Sequence, residues 1–294
     1  IPFDRSINPY RGCEHGCIYC YARPTHGWLG LSAGLDFETR IFFKPDAARL
    51  LRAELARPGY RPAPIAFGTN TDPYQPAERR LRITRALLEL LAAHGHPLTI
   101  VTKSALVLRD ADILGAMSRA RLARVFVSLT TLDRGLARRL EPRASAPARR
   151  LEAIAGLAAA GVDVGVMTAP LIPALTDHEL EPMLEAARAA GARGAGYTML
   201  RLPHEVKDLF REWLEAHEPL KAARVLARVA RMRGGALNDP RFGTRLVGEG
   251  EEAALVARRF RLACERLGLA RGSPPLDASG FRPPTGDPRQ ASLF

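Results

Sequence analysis

The sequence predicts an α/β fold built on a parallel sheet, on three observations. Short apolar runs alternate with stretches of helical periodicity as far as about residue 202. Strands joined through helices pair in parallel and have both faces covered. Polar residues recur just after the apolar runs: Thr69, Asn70 and Asp72, then Thr102, Lys103 and Ser104, then Ser128, Thr130 and Thr131, then Thr168, Thr198 and Arg201. In parallel α/β folds the C-terminal strand ends are where sites assemble. Three of the four cysteines fall within eight positions, directly after the first strand-like segment. An open doubly wound sheet and a partial barrel both satisfy this pattern.

The elements follow in order. Ser6 to Tyr10 reads as a first strand and Pro64 to Phe67 as a second, ending in Gly68-Thr69-Asn70-Thr71-Asp72. Pro76 to His94 has a helical apolar face in Leu81, Ile83, Leu87, Leu88 and Leu91. Leu98 to Val101 is strand-like, and a helix follows near Asp110 to Arg119. Arg124 to Leu129 is a strand by its β-branched and aromatic residues. Ala146 to Ala160 is helical and stops at Gly161, a C-terminal cap. Val162 to Met167 is the next strand. Thr176-Asp177-His178-Glu179 fits a capping box that opens a helix to Ala190. Gly194 to Leu200 is the last strand.

Residues 1–202 therefore form the α/β body, with a cysteine loop at 11–23. Residues 203–270 read as a helical extension packed on that body, with helices over Pro203 to Arg233 and Gly250 to Leu267. Within it, Phe210 and Trp213 are expected as core contacts, and Cys264 as a buried structural cysteine. Residues 271–294, rich in proline, are expected as a disordered tail.

Composition bounds the function. Hydrophobic residues at 47% and charged residues at 25% exclude a disordered or collagen-like chain. No run approaches the roughly 20 apolar residues of a membrane helix, so no membrane role is expected. Four cysteines in 294 residues exclude a disulfide scaffold. No targeting segment is read within the chain, and a cytoplasmic location is expected. The net charge of +12 suits a polyanionic partner such as nucleic acid. Only four basic residues are lysine (Lys44, Lys103, Lys207, Lys221), and arginine also crowds ordinary helix faces, which fits a compositional bias equally well.

The segment Arg11-Gly12-Cys13-Glu14-His15-Gly16-Cys17-Ile18-Tyr19-Cys20-Tyr21 carries the spacing C-x3-C-x2-C. Three thiolates this close can serve one metal centre if the chain wraps around it, and Gly12 and Gly16 supply the backbone freedom. Thiolates suit iron–sulfur clusters or zinc. A [4Fe–4S] cluster usually takes four cysteines, so three would leave one iron open to a substrate or cofactor. The alternative is structural zinc with His15 or Cys264 as fourth ligand. His15 itself is expected on the solvent side of the loop.

This motif, with Tyr19 before the third cysteine, resembles the radical S-adenosylmethionine (SAM) superfamily. The strings Ser6-Ile7-Asn8-Pro9-Tyr10-Arg11-Gly12-Cys13, Tyr19-Cys20-Tyr21-Ala22-Arg23 and Thr71-Asp72-Pro73-Tyr74-Gln75-Pro76-Ala77-Glu78 resemble the group related to spore photoproduct lyase, often labelled DNA repair photolyase. The resemblance spans Ile1 to about Leu267. It implies a partial (β/α)6 TIM-like barrel with a C-terminal helical extension, and a [4Fe–4S] cluster on Cys13, Cys17 and Cys20. It implies that SAM chelates the open iron and is cleaved by an electron from an external donor, giving a 5′-deoxyadenosyl radical that abstracts a substrate hydrogen. Residue by residue, it puts Tyr19 against the adenine side of SAM and Asn70, Thr71 and Asp72 near its amino group. It puts Lys103 at the cofactor carboxylate and Ser128 at the ribose or carboxylate. Glu141-Pro142-Arg143 is a further stretch that could reach the cofactor or substrate.

One departure is chemical. Spore photoproduct lyase has a hydrogen-donating cysteine in the turn after the second strand, where Thr69 stands here. A hydroxyl hydrogen is far harder to abstract, so dimer reversal by that route is not expected. The expectation is a radical SAM enzyme, lyase-like or modifying. Its substrate is a nucleic acid, by charge and group resemblance, or else a small molecule or peptide. The alternative class is a nucleic-acid-binding module with structural zinc and no catalysis.

Overall fold

The fold is described from a computed structural model over residues 4–272 and 274–285. The strands are β1 (Arg5–Ile7), β2 (Tyr10–Arg11), β3 (Phe42–Phe43), β4 (Ile65–Phe67), β5 (Leu98–Thr102), β6 (Ala123–Ser128), β7 (Val164–Leu171) and β8 (Gly194–Met199). Six of them form one sheet in the order β1-β4-β5-β6-β7-β8, and every pairing in it is parallel. β2 and β3 make a separate antiparallel pair beside the cysteine loop. The order advances along the chain with a helical crossover at most steps, the winding of a partial TIM-like barrel. The doubly wound alternative would reverse the order midway, and no reversal occurs.

The helices are α1 (Leu35–Thr39), α2 (Ala47–Leu55), α3 (Glu78–Leu81), α4 (Ile83–Ala93), α5 (Ala111–Arg119), α6 (Arg134–Leu140), α7 (Pro147–Ala159), α8 (Leu180–Ala189), α9 (Val206–His217), α10 (Pro219–Arg231) and α11 (Gly250–Leu267). The buried strand residues Ile65, Phe67, Leu98, Ile100, Val125, Val127, Val164 and Val166 meet Leu87, Leu88 and Leu91 of α4 and Leu114 of α5 in one core. α11 adds Val256, Phe260 and the fully buried Cys264 to that core and packs on α8. A second apolar cluster joins Cys17 and Tyr19 to Leu140, Leu202, Phe210 and Trp213, with the last two rings stacked 5.8 Å apart. No helix among the described residues is long and apolar enough to cross a membrane.

Several expectations change at particular residues. The helix expected over Pro76 to His94 breaks at Arg82, whose φ of 52° separates α3 from α4. The first strand is interrupted between Ile7 and Tyr10, so its second half pairs with β3 instead of the sheet. The capping box does not form. Thr176 Oγ1 accepts from Ile172 N at 3.0 Å, and Glu179 accepts from Thr131 Oγ1 at 2.5 Å and Leu132 N at 2.6 Å, tying the β6 loop instead of capping a helix.

The disordered-tail expectation is overturned for residues 274–285. Asp277 N donates to Arg121 O and Arg282 N to His94 O, each at 2.9 Å. The Phe281 ring lies 5.5 Å from Tyr60 and 5.4 Å from His96. Arg124 and Arg121 also donate to Pro274 O at 3.1 Å and Pro275 O at 3.3 Å, so backbone bonds and one aromatic anchor together seat a segment whose prolines lower the entropy lost on ordering. Residues 286–294 lie outside the described part.

Candidate active site

The cysteine loop leaves β2 and crosses the C-terminal ends of the strands. Gly12 and Gly16 have φ of 79° and 67°, the left-handed turns that let it curl. Cys13 N donates to Phe37 O at 2.9 Å, and Cys20 N donates to Cys17 O at 3.2 Å. Arg23 is a buried strut beneath the loop. It donates to Cys17 O at 2.9 Å, Gly16 O at 3.0 Å, Ala33 O at 3.0 Å, Gly34 O at 2.8 Å and Glu38 at 3.1 Å. Gln75 bridges the other side, donating to Gly12 O at 3.2 Å and accepting from Glu14 N at 2.9 Å. Polar side chains therefore hold a loop that has no ladder of its own.

All four cysteines are free thiols. Burial pushes the Cys13 thiol well up, the Cys17 thiol up to about 12 and the Cys20 thiol up. Among the described residues, no three His, Cys, Asp or Glu side chains converge as ligands of one metal ion. Both proposed fourth zinc ligands are engaged elsewhere. Cys264 sits in the main core under α11. His15 is buried, contrary to the solvent-side expectation, with Nδ1 3.4 Å from Asp72 Oδ2. Three soft donors without a fourth fit a cluster with one open iron.

The turn after β4 faces this loop. Asn8 Oδ1 accepts from Asn70 N at 3.0 Å and Thr71 N at 3.4 Å, while Asn8 Nδ2 donates to Thr69 Oγ1 at 3.2 Å. Thr71 Oγ1 donates to Tyr10 O at 3.2 Å. Asp72 accepts from Tyr74 N at 2.8 Å, Thr102 Oγ1 at 2.7 Å and Lys103 N at 2.7 Å. The Asp72 carboxylate is thus occupied in joining the β4 and β5 ends, and a ligand here would meet the backbone of the turn first.

Tyr19, Lys103 and Ser128 come together around a residue that sequence reasoning reached only as a guess. Glu141 is buried and accepts from Tyr19, from Thr130 Oγ1 at 2.7 Å and from Arg150. Lys103 Nζ stands 3.7 Å from Glu141, donates to Ala169 O at 3.1 Å and lies 6.0 Å from the Tyr19 ring centre. Arg150 also donates to Ser128 O at 3.1 Å and Ser145 O at 2.7 Å. Burial would raise the Glu141 pKa, but the charges of Arg150 and Lys103 overcome it and hold the carboxyl down at about 2. Ser128 is buried at the end of β6. Arg23, Asn8 and Arg150 were missed as site residues. The first two stand inside the family-like strings, and Arg150 carries no local signal.

An open parallel barrel with three loop thiols at its C-terminal rim defines a class, and the comparisons with known proteins agree. Residues 7–187 match the Radical SAM superfamily model, and the chain belongs to that superfamily. Over 221 residues (74% of this chain) it is 41% identical to an uncharacterized protein of Mycobacterium tuberculosis, strain H37Rv, of which the match spans 65%. Over 173 residues (59% of this chain) it is 27% identical to an uncharacterized protein of Methanocaldococcus jannaschii, of which 62% is covered. The chain therefore spans less than two thirds of the length of these relatives. Its fold is similar to spore photoproduct lyase. One mutant structure superposes with a TM-score of 0.64 at 19% identity, covering 90% of this chain and 75% of that one. Another, with bound AdoMet and dinucleoside spore photoproduct, gives 0.62 at 18% identity with the same coverage.

Proposed function

We propose that this chain is a radical SAM enzyme that acts on a nucleic acid, with Cys13, Cys17 and Cys20 holding a [4Fe–4S] cluster. The observation that carries the reading is the three-thiol loop, with Cys13 and Cys17 buried and Cys20 half-buried, braced by Arg23 and Gln75. A cluster held by these thiols would supply reductive cleavage of SAM to methionine and a 5′-deoxyadenosyl radical able to abstract a substrate hydrogen. The turn at Asn70 and Thr71, preset by Asn8, offers backbone groups to the SAM amino end. Lys103 offers its ammonium to the carboxylate, and the Tyr19 ring walls the adenine side. Glu141 balances the charges of Lys103 and Arg150, so the cationic side chains stay seated without ligand. Burial of Tyr19, Ser128 and Thr130 keeps water from the radical. An external reductant would have to deliver the electron, and free thiols suit a reducing compartment such as the cytoplasm.

The net charge of +12 supports a polyanionic substrate. The Thr69 hydroxyl accepts from Asn8, and its O–H bond is far stronger than a thiol's S–H bond, so it is no counterpart of a hydrogen-donating thiol and the fate of the substrate radical differs from dimer reversal by that route. The test is anaerobic reconstitution, addition of dithionite and SAM, and mass spectrometry of 5′-deoxyadenosine, with Cys17→Ala as control. Product from the parent and none from the variant is expected. A colourless, zinc-loaded parent that makes none refutes the reading.

A further inference from the structure

Half-buried arginines in this chain are generally matched with carboxylates. Arg109 pairs with Glu78 and Asp110, Arg124 with Asp163, and Arg228 with Asp177 and Glu252. Two are not. Among the described residues the guanidinium groups of Arg201 and Arg245 make no ion pair and no hydrogen bond. Aromatic faces hold them instead: Arg201 lies 4.4 Å from the Tyr21 ring centre and Arg245 lies 3.9 Å from that of Phe242. Stacking fixes the planar group while leaving its N–H edges free to donate.

Their position is specific. β8 is the last strand of the open sheet, and Arg201 follows its end. The loop bearing Arg245 is tied to that end by Met199 N donating to Leu246 O at 2.7 Å and Leu202 N to Leu237 O at 3.0 Å. Arg233 locks the junction by donating to Leu200 O at 2.8 Å, Met199 O at 3.1 Å and Arg245 O at 3.1 Å. Its own N–H groups are thereby spent on carbonyls. Tyr21 adjoins Cys20 and donates to Thr69 O, so the pair looks onto the cysteine loop. Burial lowers the Arg201 pKa, and the charge of Arg245 adds to that effect against the opposing influence of Tyr21. The nearby carboxylate Asp239 does not neutralise them. It accepts from Arg241 at 2.9 Å and from Thr244 Oγ1 at 2.6 Å.

We propose that Arg201 and Arg245 form a phosphate-binding site that grips a phosphodiester of the nucleic-acid substrate at the open edge of the barrel. Two rigid, weakly hydrated guanidinium groups with free edges suit a phosphate oxygen pair, which would relieve their mutual repulsion. The exposed ring of Phe242 beside them matches the mixture of arginine and aromatic residues that tracks single strands. The proposal rests on the catalytic reading above for the nature of the substrate.

The test is fluorescence anisotropy of a labelled oligothymidylate on the reconstituted chain across a salt series. The slope of log K against log salt falls by about 0.7 for each single-strand phosphate that the protein ceases to neutralise. Arg201→Gln and Arg245→Gln should each lose about that much slope and bind roughly tenfold more weakly at low salt. Arg245→Lys should keep the slope, and Arg258→Gln, on the exposed face of α11, should match the parent. Inorganic phosphate should compete in the parent and not in the glutamine variants. Glutamine variants with the parent's slope overturn the proposal, as does a parent that binds neither probe. A parent that binds inorganic phosphate through these arginines but no oligonucleotide overturns the nucleic-acid assignment and leaves a small phosphate ester. Absence of 5′-deoxyadenosine refutes the catalytic reading by a separate assay that needs no oligonucleotide.

Discussion

Replacing Glu141 with glutamine removes one buried charge and little else. Thr130 and Tyr19 donate to the same oxygen, Oε1, and a glutamine carbonyl can accept both bonds. The other oxygen takes the guanidinium of Arg150. There the new amide would point N–H groups at N–H groups. Arg150 is 1% exposed, and Lys103 Nζ lies 3.7 Å from the carboxylate, so two cations would be left without their anion. Breaking a buried pair by removing one partner costs about 3–5 kcal/mol. At about 2–4 °C per kcal/mol for a chain approaching this size, the thermal midpoint should fall by roughly 10 °C near neutral pH. The pH dependence has a definite sign. Glu141 titrates at about 2 in the fold against an ordinary 4.5. Its contribution is therefore complete above about pH 4.5 and disappears as pH falls toward 2. Circular dichroism melts of parent and Glu141→Gln from pH 7 down to 3 would measure both effects. The gap should be widest at pH 7 and narrow below pH 4.5. A variant that melts within a degree of the parent at pH 7, or a gap that does not change with pH, would refute the reasoning.

Arg23→Lys should abolish most iron uptake while leaving the sheet folded, because one ammonium cannot reach the five acceptors that the guanidinium spans; iron and sulfide per chain after reconstitution would show it. Gly68→Ala should prevent soluble expression, since a Cβ there would collide with the Val101 carbonyl oxygen at a φ of +83°. Soluble yield is the readout, and a parent-like yield would be decisive against it. Asn8→Ala frees the turn at Asn70 and Thr71, so SAM should bind at least several-fold more weakly by calorimetry while the iron content holds. Phe281→Ala should lower stability by about 1 kcal/mol, the usual worth of an aromatic contact, measured by urea unfolding.

What was legible in the sequence is what short-range pattern encodes. β5 and β6 declare themselves by consecutive apolar and β-branched residues, and the cysteine loop by a spacing of eight residues. The expected site positions Tyr19, Lys103 and Ser128 do meet, through Glu141 and Arg150. What escaped is long-range polar chemistry. Arg150 lies on α7 and reads as one more arginine on a helix, in a chain full of them. Its burial follows only from how α7 docks behind β6. Glu179 looks like a capping residue because its neighbours have the right spacing, yet Thr131 and Leu132 compete for it and win. Arg82 breaks a helix whose apolar face continues across the break, so periodicity alone gives no warning. Composition marked residues 274–285 as tail, but long-range backbone hydrogen bonds and the Phe281 ring overrode it.

The loop's construction bears on how the site is loaded. Its bends are set by glycine, and its carbonyls are satisfied by Arg23 and Gln75, none of which depends on thiolate charge. Cys13 and Cys17 are buried and Cys20 partly so, and burial raises all three thiols, Cys17 to about 12. Protonated thiols are poor ligands, so a metal centre bound here would have to displace protons, and its positive charge would offset what burial withholds. A loop braced by contacts that do not involve its thiols can hold its shape without three anions repelling one another in a dry rim. The same bracing limits how far the loop can relax around a different metal geometry. Arg23 and Gln75 thus fix the curvature of the loop without drawing on its thiols.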